Sequence, residues 1–137
     1  MHITLELSTS ALIVTMDGRL PAPVTLRYTS SDPFAVHFDF PARVTVDGEA
    51  ATWTFARTLL AEGLAGPAGA GCVRVAPRGP SHTVVELQTE LGVAMLRFDT
   101  KVLHRFLART HTVVAPGAET VAPELDRGLT AIYGGAA

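Results

Sequence analysis

The feature that most constrains the fold is a short helical segment set between two stretches of strand-forming sequence. Trp53 and Phe55 end an alternating, strand-like stretch, and an apolar helix predicted over Ala56 to Glu62 follows directly. Gly63 is expected to end this helix, because glycine readily adopts the left-handed conformation found just after helix C-termini. A loop over Gly66 to Gly71 then leads into a second strand-rich region. The sequence therefore predicts two β-rich halves joined by one helix.

The first half reads as a series of antiparallel strands. Ile3, Leu5 and Leu7 alternate with polar residues, which is the period-2 pattern of a half-buried strand. Turn signals rich in Asp, Gly, Pro and Ser separate the alternating segments, and Asp47-Gly48 joins the last two. The predicted strands of this half lie at 3–16, 24–28, 34–40, 43–46 and 49–55.

The second half repeats the plan, with predicted strands at 72–76, 83–89 and 93–98. Asp99 is a suitable N-cap for the helix that follows. That helix has an apolar stripe made of Val102, Leu103, Phe106 and Leu107. A last helix is predicted to begin at Pro123. We therefore expect one α+β domain over residues 1–137, with two antiparallel β-sheets, a short central helix and C-terminal helices.

The composition narrows the classes of function. Hydrophobic residues make up 47% of the chain and charged residues only 18%, so part of the surface is expected to be buried against other copies. The net charge of −2 argues against nonspecific binding to nucleic acid, which needs a basic surface. The single Cys72 cannot form an internal disulfide, which favours a reducing compartment. With no signal peptide and no long apolar run, we expect a cytoplasmic protein without direct membrane insertion.

No motif predicts catalysis or metal binding. The glycine-rich loop follows a helix and precedes a strand, which is the reverse of the order in a phosphate-binding loop. His37 and Asp39 share a strand face but would need further ligands to hold a metal. No neighbouring base activates Cys72 as a nucleophile, so it is expected to be buried or idle. We therefore expect no catalytic residue, no cofactor and no metal.

One charge pattern does indicate binding. Lys101, Arg105 and Arg109 are spaced at i, i+4 and i+8, and so form a basic stripe along the predicted second helix. Such a stripe fits an acidic partner or nucleic acid. A solvated face whose charges favour the helix C-terminus would produce the same pattern.

Four different sequence motifs occur one after another along nearly the whole chain. They are 26–36 (LRYTSSDPFAV), 53–64 (WTFARTLLAEGL), 71–77 (GCVRVAP), and 106–110 followed by 114–117 (FLART and VAPG). Together they resemble the SsgA-like family of sporulation and cell-division proteins of filamentous actinobacteria. One position departs from the family pattern, since Cys72 stands where members often carry Asp.

The resemblance implies properties that the residue pattern alone does not. Members of this family are not enzymes, and their fold is similar to that of the Whirly and mitochondrial guide-RNA-binding proteins. They can assemble as trimers. The member with the most general role recruits the tubulin-like division protein FtsZ to future septum sites, helped by a paralogue. The expected partners are therefore FtsZ, SsgA-like paralogues and further copies of the chain, at the division septum.

We interpret the chain as a non-enzymatic adaptor that binds a polymer through several copies of one weak site. The candidate contact residues are polar groups on the predicted helices: Arg57, Glu62, Lys101, Arg105 and Arg109. Trp53, Leu59 and Leu60 are expected to pack in the core instead. The alternative is a single-stranded nucleic-acid-binding protein, which would need a basic groove with exposed aromatic residues. Aromatic residues make up 7% of the chain, and the net charge is acidic, so this alternative is the weaker one.

Overall fold

The computed structural model describes residues 2–15, 18–45, 47–90 and 92–120. Its eight strands form a single antiparallel sheet in the order β4-β3-β2-β1-β8-β7-β6-β5. The strands are β1 Thr4–Thr15, β2 Gly18–Thr29, β3 Ala35–Phe40, β4 Ala51–Ala56, β5 Ala68–Ala70, β6 Val73–Arg78, β7 His82–Thr89 and β8 Gly92–Asp99. Helix α1 spans Arg57–Ala65 between β4 and β5, and helix α2 spans Thr100–Val113 after β8.

The two halves of the chain share this one sheet. β1 pairs with β2 over its whole length of 12 residues, and its far end also pairs with β8. The junction consists of three residue pairs, from Leu12 opposite Arg97 to Val14 opposite Met95. The prediction of two separate sheets is therefore wrong, because a strand as long as β1 can pair with both halves. One sheet with two helices keeps the chain in the α+β class.

The core lies between one face of the sheet and the two helices. Along each strand, side chains that point into the core alternate with side chains that point outward. Leu26 on β2, Phe38 on β3 and Phe98 on β8 are buried examples of the inward set. Phe38 contacts the rings of Phe55 and Phe98 edge to face, at centroid distances of 5.0 and 5.5 Å. The helices contribute Leu60, Leu103 and Phe106, each with none of its surface exposed.

Gly63 has a role different from the one its sequence position predicts. Helix α1 continues to Ala65, so Gly63 lies inside the helix and does not end it. A Cβ at this position would lie 2.3 Å from the Cβ of Val75 on β6. Glycine is therefore required for close approach of helix to strand. The helix ends instead at Gly66, whose extended backbone any residue could adopt.

Two further segments differ from the prediction. The chain at 42–44 forms a 3-10 helix instead of a strand, because the hydroxyl and amide of Thr45 both donate to the carbonyl of Ala42 and close a turn. The glycine-rich loop contains β5, which pairs with β6. The helix predicted from Pro123 lies outside the described residues. The likeness to the Whirly and guide-RNA-binding proteins stays a prediction.

Candidate functional site

The outward side of α2 is the most strongly charged surface on the described helices. The Asp99 carboxylate accepts a hydrogen bond from the Lys101 amide at 3.0 Å, which confirms the predicted N-cap. The apolar stripe of α2 packs into the core, as predicted, and this fixes how the helix is rotated. Lys101, Arg105 and Arg109 are consequently exposed on the opposite side. We call these three residues the basic face of α2.

The cations of the basic face have no counter-ions among the described residues. The ion pairs among the described residues involve Arg27, His37 and Arg57, and none of them includes a residue of the basic face. Helix α2 contains no acidic residue. A concentrated positive field on a chain with a net charge of −2 is suited to an acidic partner.

The other predicted positions on α1 divide between surface and core. Glu62 is exposed. Helix α1 also contacts helix α2. Leu60 is fully buried, whereas Trp53 and Leu59 are partly buried and pack against the core. The prediction that these three apolar side chains serve packing is confirmed.

Arg57 is predicted as a contact residue for a partner, but in the structure it does not lie on the surface. It is 2% exposed at the first position of α1. Its Nη1 donates to the carbonyl oxygens of Thr110 at 3.1 Å and Val114 at 2.7 Å. Its Nη2 donates to the carboxylate of Glu119 at 2.5 Å. We call these four residues the Arg57 cluster.

The Arg57 cluster satisfies the hydrogen-bonding groups at the C-terminal end of α2. The last carbonyls of a helix lack partners within the helix, and a cation there also interacts favourably with the helix dipole. The guanidinium of Arg57 supplies both the hydrogen-bond donors and the positive charge at the end of α2. It also lies 5.1 Å from the centre of the Tyr28 ring. The hydrogen bond from Arg57 also holds the pKa of Glu119 below its usual range. Sequence reasoning missed this contact because Arg57 and Glu119 are 62 positions apart.

A second polar cluster crosses β2, β3 and β4 on the face of the sheet away from the helices. Arg27 donates to Asp39 at 2.8 Å, and the Thr52 hydroxyl donates to the same carboxylate at 2.6 Å. These hydrogen bonds, that from Arg27 foremost, lower the pKa of Asp39. The Nδ1 of His37 lies 2.8 Å from the hydroxyl of Thr54, and burial, followed by the charge of Arg27, lowers the pKa of His37.

This polar cluster explains His37 and Asp39 without a metal. Each side chain has a partner on a neighbouring strand, so the cluster serves to connect three strands. In the part of the chain that the structure describes, no group of three or more His, Cys, Asp or Glu side chains could hold a metal ion.

Cys72 is exposed, so of the two expected states, buried or idle, the buried one is wrong and the idle one stays a prediction. It lines a shallow depression together with Arg74 and Glu86. Within residues 2–15, 18–45, 47–90 and 92–120, no helix is long and apolar enough to cross a bilayer.

The described residues thus define a mixed α+β domain with an exposed basic face on α2. A family model described as "Streptomyces sporulation and cell division protein, SsgA" matches residues 22–119. The chain belongs to this SsgA family, and its resemblance to several SsgB proteins makes it an SsgB-type member. The family is one of cell-division proteins and is not a known enzyme family.

Two relatives cover most of the chain. It is 41% identical over 137 residues to the sporulation-specific cell division protein SsgB of Salinispora tropica, an alignment that covers 96% of this chain and 94% of the relative. It is also 41% identical over 124 residues to SsgB of Streptomyces coelicolor, with 88% of each chain covered. These relationships support a role in sporulation-specific cell division.

Solved structures agree with the fold. One comes from work that correlates mutations in SsgB with longitudinal cell division during sporulation of Streptomyces coelicolor. It is 36% identical, with a TM-score of 0.76 over 87% of this chain and 94% of that chain. Another, an SsgA-like sporulation-specific cell division protein from Thermobifida fusca, is 29% identical, with a TM-score of 0.73 over 96% of this chain and 95% of that one.

Proposed function

We propose that the protein is a non-enzymatic adaptor that recruits or positions FtsZ at septum sites during sporulation. The observation that carries the proposal is the basic face of α2, on which Lys101, Arg105 and Arg109 are exposed and unpaired among the described residues. These cations stand on a helix whose other side is buried in the core, so the spacing of their backbone positions is fixed before a partner arrives. An acidic surface on the partner would be attracted to them and oriented by them.

Avidity gives such a weak electrostatic site its strength. The protein would act as a homo-oligomer, a trimer by family resemblance, and several basic faces would then bind one polymer together. The outer face of the sheet offers apolar surface for this self-association. Val14 pairs with Met95 there, and the exposed Val93 lies two residues from Met95 along β8. The same surface would serve contact with SsgA-like paralogues.

The experiment that tests the proposal is co-sedimentation of the full chain with FtsZ polymers. Binding should carry the protein into the pellet, and only when FtsZ is polymerised, because avidity requires many adjacent sites. A gel-shift assay with single-stranded DNA runs in parallel. A salt-sensitive DNA shift without co-sedimentation would contradict the adaptor function.

The nucleic-acid alternative finds little support on this surface. Binding single strands without sequence preference relies on aromatic side chains on which bases stack, set within a basic groove. Among the described residues the one exposed large aromatic side chain is Phe34, which lies in the turn between β2 and β3 and not on α2. The basic face therefore favours a protein partner.

A further inference from the structure

The open edges of the sheet differ in how well they are protected against the addition of another strand. An edge strand exposes backbone N–H and C=O groups that can pair with another chain, and proteins usually protect such edges. The strand order leaves β4 at one end of the sheet and β5 at the other. Parts of β1 and β2 also extend beyond the pairing of their neighbours β8 and β3.

Three of these edges carry a recognisable protection. β5 is only three residues long and contains Gly69. The part of β2 that precedes its pairing with β3 contains Pro21 and Pro23, which have no N–H to donate. The part of β1 that separates from β8 carries the charged Glu6, and β1 is contacted by α2. These features each discourage the addition of a further strand.

β4 lacks the shortness, the prolines and the charge of the other edges, although α1 contacts it as α2 contacts β1. Its sequence, ATWTFA, contains no proline, glycine or charged residue, and all six residues pair with β3 on one side. No strand from the described ranges pairs with its other side. Thr52 and Thr54 are exposed, and Trp53 is only half-buried although it packs against the core.

We propose that β4 is a docking edge for an extended segment of the partner polypeptide, which adds to the sheet as a ninth strand. This inference rests on the proposed function, because the segment would belong to the recruited division protein. Every second residue of β4 directs its N–H and C=O away from β3, and only an extended polypeptide backbone matches that regular row of donors and acceptors. The edge would supply short-range affinity, whereas the basic face of α2 supplies attraction at longer range.

The edge also sets a pattern for the segment it accepts. Side chains of the added strand would alternate between the two faces of the sheet. Those on the core side would lie beside Trp53 and Phe55 and should be apolar. Those on the outer side would lie beside Thr52 and Thr54 and should be polar or β-branched. The chemistry therefore predicts an alternating, strand-forming segment.

The test is amide hydrogen exchange of the full chain, measured alone and with polymerised FtsZ as the probe. Strand addition should slow exchange in 51–56 on the order of tenfold, because a newly paired amide exchanges only when its hydrogen bond opens. Co-sedimentation without slower exchange in 51–56 would overturn this inference and leave the proposed function intact. Absence of co-sedimentation would overturn both. Slower exchange in 51–56 that depends on the concentration of the free protein would assign the edge to a second copy and overturn the inference.

A variant with a matched control sharpens the result. Thr52→Lys places a charge on the edge strand and should weaken co-sedimentation about tenfold, since lysine on an edge opposes strand pairing. Thr25→Lys makes the same substitution beside the same Asp39, but in β2, which is paired on both sides at this position, and it should leave co-sedimentation unchanged. Equal loss in both variants would show a general charge effect and contradict strand addition. Both proteins should retain the melting temperature of the wild type to within a few degrees.

Discussion

Replacing Arg57 with methionine tests what holds the end of α2 to the rest of the domain. The change removes three hydrogen bonds and leaves the Glu119 carboxylate, whose side chain is 11% exposed, without its cation. Removing one partner of a buried ion pair costs about 3–5 kcal/mol, because the remaining charge is buried without compensation. For a domain of this size we expect the melting temperature to fall by about 10–15 °C.

The assay is thermal or urea unfolding followed by circular dichroism, with Arg105→Met as the matched control. Arg105 lies on the basic face and is exposed, so its replacement should change the free energy of unfolding by less than about 0.5 kcal/mol. The double variant Arg57→Met/Glu119→Met should lose less than the sum of the single losses, because it removes both charges together. A loss below about 1 kcal/mol for Arg57→Met would refute the reasoning, since it would mean that the cluster contributes little to stability.

Three further predictions follow from the packing and the titrating groups. Because the folded chain holds the pKa of Glu119 low, its stabilisation is present at neutral pH and is lost as pH falls below about 4.3; Glu119→Gln should lower stability at pH 7 and make the acid unfolding limb shallower. Gly63→Ala should cost about 1–3 kcal/mol through its clash with Val75, whereas Gly66→Ala, with nothing within 4 Å, should be nearly neutral in the same urea titration. Burial lowers the pKa of His37, so the unfolded chain binds more protons and stability should decline as pH falls below about 6.5; His37→Gln should flatten melting temperatures measured between about pH 7 and 5.

Local patterns in the sequence predicted much of the fold. Alternation identified most strands, and the N-cap at Asp99 and the apolar stripe of α2 are confirmed, because each depends on residues a few positions apart. The junction of β1 with β8 was missed, since pairing between distant strands leaves no local signal. Gly63 was misinterpreted for a related reason: a glycine that ends a helix and a glycine that admits Val75 look the same in a sequence.

The candidate site was predicted in part. The spacing of Lys101, Arg105 and Arg109 was sufficient to predict a shared helix face, and the structure shows these side chains exposed. Arg57 was chosen as a contact residue because it is a polar group on a predicted helix, and only its distant partners explain its burial. The open edge of β4 could not be predicted either, since the sequence does not show which strand ends the sheet.

The measurement that tests the central claim most directly is co-sedimentation with FtsZ polymers across a salt series, comparing the wild-type chain with Arg105→Glu/Arg109→Glu. Both side chains are exposed and unpaired among the described residues, so the variant should fold normally. The adaptor function predicts that the wild type binds at low salt, that added salt weakens binding, and that the variant loses most of it. Equal binding of the two proteins at every salt concentration would contradict a role for the basic face of α2 in recruitment.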